Sequence, residues 1–261
     1  MTQDTPQITQ PISVKSNFST LHVTCSKALE DSFEGEYGAR MSLSYLFVTD
    51  LENWVNILSL RPENALFKLA EQEYMSSLLN VAQGQYRNAF KGLRLVLELI
   101  IQGTYLSANI IELQEWLRNA RDTNWTTLTG GKLENDVGEE FVQERGPMCK
   151  RFSDAFFPEI RDQASTFNTM ARTLYRELSE TIHGNMPNHI PLPSSLEFDK
   201  ETFELWHEKA ETTRLLCIFC LTLRYAAELT ETERASIEAG VSDQLGHIEP
   251  IRILFGGPAT S

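Results

Sequence analysis

Apolar side chains recur at three- and four-residue steps along most of this chain, which is the spacing of one face of an α-helix. In the first half the pattern predicts one helix that ends near Pro62, a second that Gly84 breaks or kinks, and a third from Tyr86 to about Ser107. The apolar positions of these three segments are Met41, Tyr45, Val48, Leu51, Val55 and Leu58, then Leu66, Leu69, Ala70, Leu78 and Val81, then Ala89, Phe90, Leu93, Val96, Leu97, Ile100 and Ile101.

The second half of the chain continues in the same helical pattern. Asp199 is a candidate N-cap for a long helix through Glu228, and Thr230 with Glu233 matches a capping box for a final short helix. Further helices are expected at Ile111 to Arg121, at Pro147 to Phe157, and from near Ile160 to His183.

Two stretches lack this pattern. Asp122 to Gly138 contains Gly130-Gly131 and many Thr and Asn residues, so we interpret it as a loop or lid. Gly184 to Ser195 holds three prolines and cannot be a regular helix. Strand signals are weak everywhere, and there is no internal repeat. The sequence therefore predicts an all-α protein, a single-domain irregular bundle of about six to eight helices.

The ends of the chain differ from this helical body. Residues 1–19 are rich in Thr, Gln, Pro and Ser and are expected to form a flexible N-terminal segment. Residues 20–250 form the predicted helical domain, and residues 251–261 form a C-terminal tail.

Charge and cysteine content narrow the classes of function. The chain has 23 Lys and Arg against 36 Asp and Glu, a formal net charge of −13. Such a protein is repelled by nucleic acid and by anionic membranes unless its basic residues cluster locally.

Four cysteines are too few for a disulfide framework, and the start lacks the regions of a signal peptide, so we expect a cytoplasmic protein. The longest apolar run, Leu95 to Ile101, contains Glu98 and is too short to span a bilayer.

No cofactor or metal motif stands out. Cys217-x-x-Cys220 lies in an apolar helical run, and no second Cys or His pair has the spacing to complete four ligands. These cysteines are expected to be core residues, and His207, beside Trp206, is expected to pack half-buried. We expect no cofactor and no metal.

The strongest chemical pattern lies at the end of the helix that finishes with His183. On an ideal helix Arg172, Arg176, Ser179 and His183 fall within roughly 60° of one another. Gly184 then ends the helix, and the partial negative charge there favours the imidazolium form of His183. An arginine suits a phosphate, and a histidine that titrates near neutrality suits acid–base chemistry.

The same residues also have a structural interpretation. A histidine before a terminal glycine is a good C-cap, and Arg176 with Glu180 can form a solvated ion pair. Upstream, Arg94 and Glu98 lie four residues apart on a very apolar helix. A buried pair of this kind orders a core or orients a neighbouring site, and Arg94 is a candidate to face the same pocket as Arg176.

The helix end resembles the HEPN superfamily, whose loose motif is Arg-x(4–6)-His, here Arg176 and His183. The flanking Tyr175, Leu178-Ser179 and Ile182-His183-Gly184 look like an uncharacterised bacterial HEPN-like group. So do the upstream helix Ala89 to Glu98 and the following Trp116-Leu117. The resemblance covers about Tyr86 to Asn185 and the long helix after it, and not the first eighty residues.

The resemblance implies an all-α HEPN-like core and metal-independent RNA cleavage by a toxin or phage-defence effector. Arg176 would hold the scissile phosphate, and His183 would act as acid or base. The site would form across a homodimer interface, with Arg172, Ser179, Glu180, Arg94 and Glu98 in support, and an antitoxin or defence-system component is a further expected partner. Pairing two motifs would also double the local positive charge.

One departure keeps a second interpretation open. Active HEPN nucleases usually have Asn, Asp or His directly after the arginine, whereas this chain has Glu177, whose carboxylate would compete with a phosphate. The alternative is a non-catalytic HEPN-like helical module for dimerisation or partner binding, in which His183 is a structural cap.

Overall fold

The computed structural model describes residues 13–120, 124–134, 140–143, 146–183, 192–193 and 195–259. Within these ranges the chain folds into eleven α-helices, one 3₁₀ turn at Pro158–Ile160 and a small two-stranded hairpin. The helices are α1 Val14–Asp31, α2 Glu36–Ile57, α3 Asn64–Ala82, α4 Tyr86–Ala108, α5 Ile110–Leu117, α6 Trp125–Thr129, α7 Lys150–Phe156, α8 Arg161–His183, α9 Lys200–Tyr225, α10 Glu231–Leu245 and α11 Glu249–Leu254.

The all-α class is confirmed. About six to eight helices were expected, whereas the described residues contain eleven. The difference comes from three helices that the pattern did not predict. Helices α6 and α11 are five and six residues long, too short to show a periodicity, and α1 is an 18-residue helix with a largely polar sequence. The stretch interpreted as a loop contains α6 and then strand β1, Gly131–Glu134, which pairs antiparallel with β2, Glu140–Gln143. Residues 122–123 and 135–138 of that stretch lie outside the described residues, as does most of Gly184 to Ser195.

Predicted capping residues fix several helix ends. The Asp199 side chain accepts a hydrogen bond from the backbone N–H of Thr202, as the N-cap prediction requires. Thr230 and Glu233 form a reciprocal capping box, although the helix that they begin is fifteen residues long rather than short. Gly84 ends α3 in a left-handed conformation with φ of 70°. These helix boundaries are therefore encoded locally.

Helix α4 lies at the centre of the bundle and contacts α3, α8 and α9. Two glycines let α3 approach it closely. A Cβ atom on Gly92 would lie 2.7 Å from the Cβ of Ser77, and one on Gly103 would lie 2.5 Å from the Phe67 ring. Both neighbours are completely buried, so this contact has no room for larger side chains.

The core is continuous from α2 to α11. Cys217 and Cys220 on α9 are completely buried in it, which confirms that they are core residues. The boundary expected at residue 19 falls inside α1, and the one expected at residue 250 falls inside α11, where Ile251 is buried. No helix in the described part of the chain is long and apolar enough to cross a membrane.

Candidate functional site on helix α8

Helix α8 packs one side against the core and presents its arginines on the other. Its buried residues are Ala164, Phe167, Ala171, Leu174 and Leu178, spaced three or four apart. The Phe167 ring stacks on the Phe219 ring of α9, with the centroids 3.7 Å apart. Arg172 and Arg176 point away from this apolar stripe and are exposed. Burial of one stripe therefore forces the arginines into solvent.

Arg94 of α4 contacts helix α8 at the edge of the face that carries the arginines. Its Nε donates a hydrogen bond of 3.1 Å to Ser179 Oγ, and a terminal nitrogen donates to the Tyr175 hydroxyl. The same guanidinium lies 3.4 Å from the carboxylate of Glu98, one turn along α4. The structure thus brings together Arg94, Glu98 and Ser179, three of the predicted residues, and adds Tyr175 to them.

Aromatic stacking packs α6 against Tyr175, which is hydrogen-bonded to Arg94. The Trp125 and Tyr175 rings stack with centroids 3.7 Å apart and an angle of 6° between planes. The Arg94 guanidinium lies 4.5 Å from the centre of the Tyr175 ring. Asn168 of α8 also donates a 2.9 Å hydrogen bond to the Thr129 carbonyl at the end of α6. The segment interpreted as a lid is therefore packed onto α8 here by specific contacts.

Arg172 and Arg176 have no hydrogen bond or ion pair with any described residue. Glu177, the residue expected to compete for the phosphate, forms a 2.6 Å ion pair with Lys209 of α9. Its carboxylate is therefore directed toward α9 and away from the exposed arginines. Two arginines one helical turn apart, without an acidic partner in the described part of the chain, are able to bind an anion such as a phosphate.

The remaining predicted residues lie at the end of the same helix. Glu180 follows Ser179 and is partly buried. His183 is the last residue of α8, as the sequence predicts, and its side chain lies outside the described residues. The proximity of His183 to Arg176 therefore rests on helix geometry, which places the two residues about two turns apart on one face.

Sequence reasoning missed a buried polar pair elsewhere in the bundle. Ser44 Oγ of α2 lies 2.6 Å from His207 Nδ1 of α9. His207 is 3% exposed, and its burial together with the positive charge of Arg40 lowers its pKa to about 4. The sequence predicted that His207 packs half-buried, whereas the residue is fully buried. Because 163 residues separate it from Ser44, no local pattern could reveal the pair.

Within the described ranges, no group of three or more His, Cys, Asp or Glu side chains is arranged to hold a metal ion.

Comparison of the chain with protein-family models, with curated proteins and with solved structures gave no match. The HEPN resemblance therefore stays a prediction from the motif residues.

Proposed function

We propose that this protein is a HEPN-type, metal-independent endoribonuclease of the cytoplasm, with its site on the exposed face of α8. The observation that carries the proposal is the pair Arg172 and Arg176, which are exposed and unpaired within the described structure while Lys209 holds Glu177 aside. Two neighbouring arginines that no described acidic residue neutralises keep a local positive site for a phosphodiester on an otherwise acidic chain.

The proposed chemistry needs one cation and one proton carrier. The ribose 2′-hydroxyl loses its proton and attacks the adjacent phosphorus while the bond from phosphorus to the 5′-oxygen breaks. The 5′-oxygen takes up a proton, and the products are a 2′,3′-cyclic phosphate and a 5′-hydroxyl. Arg176 stabilises the charge that develops on the phosphoryl oxygens, and His183 acts as the acid or the base.

The roles proposed for the supporting residues follow from their contacts. Arg94 has hydrogen bonds to Ser179 and Tyr175 and an ion pair with Glu98, so it positions α8 and is not the phosphate ligand. Arg172 lies one turn from Arg176 and is the second phosphate contact. Glu180 lies on the same helix, one turn beyond Arg176.

A homodimer completes the proposal. One copy of the chain carries a net charge of −13, which opposes RNA binding over most of its surface. Two copies that meet along α8 would double the number of arginines at the site without changing the rest of the surface. The proposed biological role, a toxin or phage-defence effector with an antitoxin or defence-system partner, rests on family analogy alone.

The test is cleavage of a fluorescent single-stranded RNA in EDTA at low salt. Wild-type protein should cut it, and Arg176→Ala and His183→Ala should each slow cleavage by at least about a hundredfold, as expected for a charge-stabilising and an acid–base group. Arg161→Ala is the matched control. Arg161 lies on the same helix as Arg176 and is about 22 Å away from it along the helix axis. Its ion pair with Asp154 is exposed.

The alternative is a non-catalytic helical module. The observation that favours it is the engagement of Ser179 and Tyr175 with Arg94, which gives this edge of the α8 face a packing role. Intact RNA at micromolar wild-type protein, or equal cleavage by wild type and both variants, would reject the nuclease. A homodimer that persists in Arg176→Ala and His183→Ala would then identify the module.

A further inference from the structure

A cavity of about 280 Å³ opens between α2, α9 and α10, outside the proposed RNA site. From α9 it is lined by His207, Ala210, Glu211 and Arg214, which follow one another at three- and four-residue steps and therefore share one helix face. The other lining residues are Arg40, Leu43, Ser44 and Leu46 of α2, Tyr74 of α3, and Asp243 and Gln244 of α10. The volume lies just below the usual range for pockets that hold drug-sized ligands, which suits a small metabolite.

Three uncharged polar side chains, those of Ser44, Tyr74 and His207, lie together in the lining of the cavity. Ser44 Oγ and His207 Nδ1 lie 2.6 Å apart, and the Tyr74 hydroxyl donates a 2.9 Å hydrogen bond to the Ser44 carbonyl. His207 is neutral at physiological pH because its pKa is about 4. His207 Nε2 is buried and has no hydrogen-bond partner among the described residues. These groups fix the shape of the cavity without adding a charge to it.

Two lining residues of opposite charge, Arg40 and Glu211, can form further ion pairs or hydrogen bonds. Arg40 makes one ion pair, 3.1 Å from its Nε to Glu204, and has no other ion pair and no hydrogen bond among the described residues. Glu211 has no ion pair or hydrogen bond within the same set. Arg214 differs, since Asp50 at 2.7 Å and Asp243 at 2.8 Å hold its guanidinium. The available charges are therefore one guanidinium and one carboxylate.

An apolar wall accompanies these two charges. Leu43 is 58% exposed and Leu46 is 46% exposed, which is unusual for leucines beside a concave surface, while Ala210 is buried. A ligand that covered both leucines would remove their apolar surface from water, which favours binding. The cavity thus offers a positive group, a negative group and an apolar wall within a small volume.

We infer that this cavity binds a zwitterionic α-amino acid with an apolar side chain. The ligand carboxylate pairs with the terminal nitrogens of Arg40, the ammonium group pairs with Glu211, and the side chain covers Leu43 and Leu46. A simple anion or a simple cation would use only one of the two available charges and would leave the other unpaired. The inference is independent of the proposed nuclease, because none of its residues belongs to α8.

The test is calorimetric titration and thermal denaturation of the full-length protein with free leucine, methionine and phenylalanine. At least one should bind and raise the melting temperature, with a stabilisation that grows as the logarithm of one plus the ligand concentration divided by Kd. N-acetyl-leucine lacks the ammonium charge and leucine amide lacks the carboxylate. Each should bind at least about tenfold more weakly than leucine, since each loses a charge-assisted contact.

Variants distinguish this cavity from adventitious binding. Arg40→Gln should weaken leucine binding but not the residual binding of leucine amide, and Glu211→Gln should weaken leucine but not N-acetyl-leucine. Both side chains are exposed, so the unliganded variants should fold, which circular dichroism would verify. Arg118→Gln and Glu238→Gln, exposed positions elsewhere, are the matched controls and should bind as wild type does.

The inference is overturned if none of the three amino acids binds at 10 mM, on the order of the weakest useful affinity. It is equally overturned if the acetylated and amidated forms bind as well as leucine does, or if Arg40→Gln and Glu211→Gln leave binding unchanged.

Discussion

Protonation of His207 should make this protein acid-sensitive, and the size of the effect follows from its surroundings. The side chain is 3% exposed and packs edge-on against Phe203 and Trp206, with ring centroids 4.3 Å and 5.0 Å away. Burial and the nearby charge of Arg40 lower its pKa to about 4 in the folded state, against about 6.5 in the unfolded chain.

The direction of the effect follows from where the proton binds. Between pH 6.5 and pH 4 the unfolded chain takes up a proton at His207 and the folded protein does not, so the free energy of unfolding falls as pH falls. A difference of about 2.5 pKa units corresponds to about 3 kcal/mol in total. About 2 kcal/mol of it is lost between pH 7 and pH 5.

Urea denaturation at pH 7 and pH 5 measures this loss, with His207→Asn as the perturbation. Asparagine cannot titrate, and its amide can replace Nδ1 as the partner of Ser44. The variant is expected to be less stable at pH 7, because its smaller side chain leaves a void, but it should lose about 2 kcal/mol less than wild type between the two pH values.

Comparing the two proteins at both pH values cancels the contribution of the acidic groups that they share. His247→Asn, at an exposed histidine, is the control and should keep the pH dependence of wild type. Equal losses of stability in wild type and His207→Asn would refute the reasoning, because His207 would then not be buried in the neutral form.

Three further substitutions test the packing and the site. Gly240→Ala would place a Cβ 2.1 Å from Asp50 Oδ1 and disturb the ion pair between Asp50 and Arg214. Urea denaturation should therefore show that the free energy of unfolding falls by about 3 kcal/mol. An unchanged free energy of unfolding would contradict the close contact. Trp125→Ala should cost about 2 kcal/mol by the same measurement, since Tyr175 loses its stacking partner. Lys209→Met removes the ion-pair partner of Glu177 and should slow the proposed RNA cleavage about tenfold, because the Glu177 carboxylate can then compete with the phosphate. Adding Glu177→Gln to this variant should restore the cleavage rate. If the rate is not restored, the carboxylate is not the cause.

Sequence patterns predicted helices best where many residues repeat the same signal. The bounds of α4 and α8 agree with the expectation to within one residue at each end, because each helix carries five or more turns of periodic apolar positions. The caps at Asp199 and Thr230 were equally predictable, since a capping residue and the N–H that it accepts from lie within three residues of each other.

Short elements escaped prediction for the opposite reason. Helix α6 has five residues, and each strand of the hairpin has four. A segment of that length shows no period, and its conformation depends on what it packs against, here the stacking of Trp125 on Tyr175.

The sequence by itself determined the helical class, the long helices and the stripe of α8 that carries Arg172 and Arg176, because all of these follow from neighbours within one or two turns. Only the tertiary structure decided which charges on that stripe are available. It pairs Glu177 with Lys209, 32 residues away, and Arg94 with Ser179, 85 residues away. It likewise joins Ser44 to His207 beside the cavity. Such pairs depend on the angles at which helices far apart in the sequence cross in the bundle. The spacing of residues within one helix does not determine those angles.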